Sequence, residues 1–133
     1  MTVDELMQAL ARELTFASKY DEDNQEWVLD VQLEDSRGQQ ITLSPFEEGG
    51  RSMIRFMTQI GESKEFSPQK LVSALELNAS LLYGALALYE GCMVLTETAS
   101  LSQRDPSDLV DVVRYLTRMA DTYEKMLFGY DRS

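Results

Sequence analysis

The residues that could carry chemistry are few, and their spacing does not assemble them. Three acids and Glu26 crowd into Asp21-Glu-Asp-Asn-Gln-Glu26, and several carboxylate oxygens are what a hard divalent cation needs. An EF-hand loop starting at Asp21 requires glycine at its sixth position and glutamate at its twelfth, where the chain has Glu26 and Gln32. The motif fails, and the run reads as a solvated surface loop. Cys92 would be a nucleophile beside a cation or a helix N-terminus, but it sits in Glu90-Gly-Cys-Met-Val, next to a hairpin turn. No histidine is present to activate it, and the same absence removes the usual general base and the commonest metal ligand. Gly49-Gly50 lacks the Gly-Lys-Ser/Thr of a phosphate loop. With 23 acids, paired carboxylates have no spacing that singles out two of them. No residue is therefore assigned a catalytic or metal-binding role, no cofactor is expected, and the chain is read as a non-enzyme.

The 133 residues carry 12 Lys plus Arg against 23 Asp plus Glu, a formal charge of −11. With 44% hydrophobic residues this predicts one acidic globular domain over 1–133, large enough to be held by a single core. Nucleic acid is not an expected partner, because counterion release needs a concentration of Lys and Arg. The single cysteine suits a reducing compartment. The acidic start Met1-Thr-Val-Asp-Glu and the lack of a long apolar run predict neither a standard export signal nor a membrane span. The expected location is the cytoplasm.

The elements follow from periodicity. Thr2 and Glu5 form a capping box, and Val3, Leu6, Met7, Leu10 and Leu14 keep helical spacing, with the pattern fading near Ala17. Trp27, Leu29, Val31 and Leu33 alternate as one strand face. A turn at Asp35-Ser-Arg-Gly38 leads to a strand with Ile41 and Leu43 inward, which Pro45 is expected to end. After a loose turn at Glu47-Glu-Gly-Gly50, Met53 to Ile60 alternates with Ile54, Phe56 and Ile60 on one side. Ser67-Pro68 starts a helix with Phe66 stapled to Leu71; Leu71, Leu75, Asn78 and Leu82 are its expected stripe, and Gly84 its left-handed stop. A hairpin with a two-residue turn at Glu90-Gly91 follows. The last helix starts at Asp105-Pro106, buries Leu109, Val112, Val113, Leu116, Ala120, Tyr123 and Leu127, and stops at Gly129. The predicted order is α-β-β-β-α-β-β-α: an α+β fold with an antiparallel sheet and helices mainly on one face.

One positive signal remains. Val28, Phe46, Met53 and Met57 fall on the strand face opposite the predicted core. Adaptable methionines on such a face suit varied partner surfaces, and an acidic rim favours basic or amphipathic segments. These four are the candidate partner-binding residues.

Several segments resemble the superfamily of bacterial type III secretion chaperones of the CesT kind and the related YbjN-type domains. They are Ile54-Arg-Phe-Met-Thr-Gln-Ile-Gly61, the helix Leu71 to Leu82 with Leu77-Asn78, the hairpin from Tyr83 to Thr98, Leu101, and the Asp105-Pro106 helix start. Tyr83-Gly-Ala-Leu-Ala and Leu127-Phe-Gly look closer to the YbjN branch. The resemblance implies a type III secretion chaperone-like fold and a small acidic homodimer. It implies a chaperone-like, non-catalytic protein that binds an extended or non-globular segment of a partner, through an apolar sheet surface or by adding a strand to a sheet edge. The alternative is a YbjN-type regulatory or assembly domain whose partner is a folded protein.

Overall fold

The computed structural model describes residues 1–34 and 36–128. The expected stop at Gly129, and Asp35 in the first hairpin turn, lie outside the described residues. Within them are three α-helices, α1 (Val3–Glu13), α2 (Pro68–Leu77) and α3 (Pro106–Phe128), and six strands. The strands are β1 (Phe16–Asp21), β2 (Glu26–Gln32), β3 (Gly38–Glu48), β4 (Arg51–Glu62), β5 (Ala85–Tyr89) and β6 (Cys92–Ser100). All pair antiparallel in one sheet of order β1-β2-β3-β4-β6-β5. The fold is α+β.

The helices cover one face. α3 lies across β3, β4 and β6, α1 packs on α3, and α2 rests against β5. α3 is long enough, at about 1.5 Å per residue, to cross several strands. Its expected stripe from Leu109 to Leu127 is buried throughout and meets Ile41, Leu43, Ile54, Phe56 and Leu95 in a single core. Each such side chain contributes about 1.5–3 kcal/mol when taken out of water. The outer face of α3 is solvated: Arg114 pairs with Asp111 at 3.2 Å and Lys125 with Asp121 at 3.3 Å. Arg37 reaches Asp121 at 2.9 Å and so ties the end of the β2–β3 hairpin to this helix. At the other end of the chain the capping box is formed, with Thr2 Oγ1 accepting from Glu5 N and Glu5 Oε1 accepting from Thr2 N.

Four expectations are corrected. The chain past Leu14 does not fade into a loop but forms β1, which makes the order α-β-β-β-β-α-β-β-α. As an edge strand with only Phe16 and Tyr20 aligned to the core-facing residues Val31 and Trp27, β1 lacks a strong alternating signal. The acidic run turns over the surface as expected, and tightly: Asp21 Oδ1 accepts from the backbone of Asp23 and Asn24, and Gln25 takes φ 53°. The side-chain amide of Asn24, donating to Asp21 Oδ2 at 2.8 Å, is the main cause that lowers the Asp21 carboxyl below its ordinary range.

Pro45 does not end β3, which continues to Glu48 and closes on Arg51 through a tight Gly49-Gly50 turn with both φ positive. β2 begins at Glu26, beside Ser44, so past that point β3 has a neighbour on one side only and tolerates a missing donor. Leu75 and Leu82 are 67% and 71% exposed, and the buried residue of α2 is Ala74. Asn78 is no apolar stripe member either: its Oδ1 accepts from Leu86 N at 2.6 Å and its Nδ2 donates to Leu86 O at 3.3 Å. Finally, Gly84 does not close α2, which gives way to a 3-10 turn at Asn78–Ser80.

Gly84 instead lets the chain enter β5 at φ 76°, where an added Cβ would lie 2.9 Å from both Leu116 Cδ2 and Thr96 O. Gly91, at φ 77°, has open space around it. Gly84→Ala is expected to destabilise the fold by about 3 kcal/mol, strain and overlap together, and Gly91→Ala by about 1 kcal/mol from strain alone. Urea denaturation of the two variants beside the parent checks the difference.

Candidate functional site

The face of the sheet turned away from the helices carries the strand positions that alternate with the core residues. Along β4 it presents Arg51, Met53, Arg55, Met57 and Gln59, while Ile54, Phe56, Thr58 and Ile60 are buried beneath. Register extends the rows across strands. Lys19, Val28, Thr42, Met57, Thr96 and Ala85 form one row, and Phe46, Met53 and Ser100 another. Between them runs a polar row in which Ser44, Arg55 and Thr98 are partners and Ser44 Oγ donates to Glu26 Oε2 at 2.8 Å.

The structure therefore brings the four candidate residues together only in pairs. Phe46 and Met53 are direct cross-strand partners, and Val28 and Met57 flank Thr42. All four are half-buried. Three of the four line depressions on this face, and Val28 lines neither. Met57 lies with Thr42 and Val94 in the larger one, whose rim includes Glu26, Glu62, Glu90 and Tyr89; Phe46 and Met53 line the smaller one with Arg51 and Arg55. Val94, buried on this face, and half-exposed Tyr89 were not among the candidates. The alternation of Cys92, Val94 and Thr96, and of their partners Tyr89, Ala87 and Ala85, places both residues on this face.

Electrostatics differ between the two depressions. The larger is negative: the Tyr89 hydroxyl is pushed above its ordinary range first by the charge of Glu90, then by its hydrogen bond to that carboxylate, with Glu26 adding to the effect. In the smaller, Arg55 stacks over Phe46 at 4.7 Å from the ring centre and its Nε donates to Thr98 Oγ1 at 3.0 Å. Cys92 is half-buried in the lining of the larger depression. Among the described residues, no group of three or more Cys, Asp or Glu side chains is placed to hold a metal ion, and no helix is long and apolar enough to cross a membrane.

The two sheet edges are unequal. At β5 the backbone N–H and C=O of Leu86 are both taken by the Asn78 amide, which occupies the place of a neighbouring strand. β1 is the other edge, mostly exposed and carrying Lys19, a residue that discourages indiscriminate strand addition. A second apolar surface surrounds α2, where Val72, Leu75, Leu82 and Leu88 are each more than half exposed.

No family model and no curated protein matches the chain. Among solved structures, the fold is similar to a chain in the HopA1–SchA chaperone–effector complex, with a TM-score of 0.59 over 92% of this chain and 89% of that one, at 13% identity. The likeness is one of fold.

Because repulsion by Glu90 is the leading cause of the raised Tyr89 pKa, Glu90→Gln should bring the phenolate midpoint down toward its ordinary value. Absorbance titration near 295 nm, with Tyr89→Phe as the reference for the remaining tyrosines, reads the shift; an upward move would contradict the assignment.

Proposed function

We propose that this protein is a non-catalytic, chaperone-like binding module that receives an extended or non-globular segment of a partner protein on the uncovered face of its sheet. The observation that carries the reading is the one-sided cover: α3 and α1 bury one face, while the other presents half-buried Val28, Phe46, Met53 and Met57 between polar rows. A chain lying along such a face buries its apolar side chains in the two depressions and satisfies its own polar groups on Thr42, Ser44 and Gln59. Backbone pairing remains available at β1, because Asn78 already occupies the β5 edge at Leu86. The fold shared with a chain of a chaperone–effector complex supports the same reading. A cytoplasmic site of action fits the free thiol of Cys92.

A second copy of the chain is the proposed occupant of the α2 surface. Val72, Leu75, Leu82 and Leu88 are each more than half exposed beside one short helix, an apolar grouping of the kind that marks an interaction surface, and they leave the sheet face free for the client. Light scattering should give twice the 15.1 kDa of the monomer, and the pair Leu75→Asp, Leu82→Asp should return it to the monomer. A monomeric parent at high concentration would remove the proposal.

The test of binding uses the single cysteine. A polypeptide captured by the immobilised protein should slow alkylation of Cys92 and be displaced by an unstructured peptide from its own sequence. Met57→Asp should weaken capture at least about tenfold, since a buried charge would replace an adaptable apolar contact, with no more than about 1 kcal/mol change in stability at a half-exposed site. Capture of a folded partner that no unstructured peptide displaces would point to the regulatory, YbjN-type alternative. Capture of no polypeptide would end both.

A further inference from the structure

In a chain of charge −11 the cations are in demand, and at least six of those described are held in ion pairs, among them Arg37 with Asp121 and Arg104 with Glu97. Arg51 and Arg55, like Arg12 and Lys19, are outside these pairs. Arg51 and Arg55 lie two turns of the pleat from each other on the same face of β4, and among the described residues neither is joined to a carboxylate. Glu48, directly opposite Arg51 in the hairpin and lining the same depression, forms no ion pair with either. Arg55 is nonetheless held in place, its guanidinium stacked on Phe46 and its Nε bound to Thr98. A guanidinium fixed over a ring, with its Nη groups uncommitted to any carboxylate, is preorganised for a charge-assisted, forked hydrogen bond to an incoming anion.

The opposite end of the face is built the other way. Glu26, Glu62 and Glu90 rim the depression that holds Met57 and Val94. Arg55 and Glu62 are seven positions apart on β4, about 23 Å at roughly 3.3 Å per residue. That is close to three Debye lengths at physiological ionic strength, where screening falls off over about 8 Å. Glu62 is thus remote from the arginine, whereas Glu26 lies in Arg55's own row beyond Ser44, and Arg55 and Glu26 both act on the Tyr89 hydroxyl; what marks the arginine end is a guanidinium held in place with no carboxylate of the described residues on it.

Resting on the reading that an extended chain occupies this face, we propose that Arg55, seated on Phe46 and backed by Arg51, anchors a carboxylate side chain of the bound segment, while the glutamate-rimmed depression takes its basic residues. The client is then an amphipathic stretch in which an acidic residue and basic residues stand about six to eight positions apart, with apolar residues between them. This arrangement sets the register of the client, a task the two apolar spots alone perform poorly because methionine adapts to many shapes.

Labelled 15-residue peptides test the idea by fluorescence anisotropy. One alternates Leu and Thr with a Glu pair and a Lys pair about eight positions apart. A second replaces only the Glu pair by Gln, and a third replaces all four by Gln. The parent protein should bind the first about tenfold more tightly than the second, as expected for a desolvated charge pair. Arg55→Gln should abolish that preference while leaving affinity for the all-Gln peptide within about twofold, and Arg55→Lys should keep part of it. Equal binding of the first two peptides by the parent overturns the anchor and leaves the binding face standing; so does an Arg55→Gln variant that weakens all three alike. Failure of all three to bind the parent overturns both. The peptide substitutions read the anchor even if a protein variant folds poorly.

Discussion

A sheet has two faces, and this protein possesses helices for one of them. That single layer of cover decides the character of almost every other residue. Beneath α3, alternate positions of β3, β4 and β6 are apolar and essentially inaccessible, from Ile41 to Leu95. On the opposite side the same strands must meet water and yet remain strands, so their outward positions mix threonine, serine and glutamine with methionine and valine. A face of this composition is neither a core nor an ordinary solvated surface. It holds half-buried apolar side chains at two depressions, with a polar row between them.

The edges of the sheet follow from the same economy of cover. α2 rests against β5 at the margin of the sheet, with Ala74 buried and Asn78, its C-cap, bonded to Leu86. The asparagine does two jobs at once: it anchors the helix, and it supplies the hydrogen bonds that β5 would otherwise seek from another chain. The consequence is that α2 turns Val72 and Leu75 outward, so the apolar surface withheld from the fold becomes available to a partner. Charge is arranged with comparable separation. Glu26, Glu62 and Glu90 line one depression, while Arg51 and Arg55 line the other, Arg55 braced on the Phe46 ring.

Much of the architecture was legible from local signals. Thr2 with Glu5, Ser67 with Pro68, the Glu90-Gly91 turn and the seven-residue stripe of α3 all act over a few positions of chain, and each formed as read. Alternation along β4 also placed Met53 and Met57 on the uncovered side. The misreadings share a cause. β1, the continuation of β3 past Pro45, and the exposure of Leu75 each depend on which strand or helix lies alongside, and edge elements carry little of that in their own composition. Asn78 was read as a member of an apolar stripe because helical spacing says which side a residue faces, not that the neighbour there is a bare strand edge.

By itself the sequence determined that the chain folds as helices and antiparallel strands around one core, that it is strongly acidic, and that it lacks an imidazole with which to run common neutral-pH chemistry. These are properties of composition and of periods between two and four residues. Only the tertiary structure decided that the apolar strand residues split into two spots, that Tyr89 and Glu26 border one cavity from opposite parts of the sheet, and that Arg55 rests on Phe46 across a strand pair. Those relations arise from register and curvature, which are fixed by the summed packing of distant elements and leave no trace in any one segment.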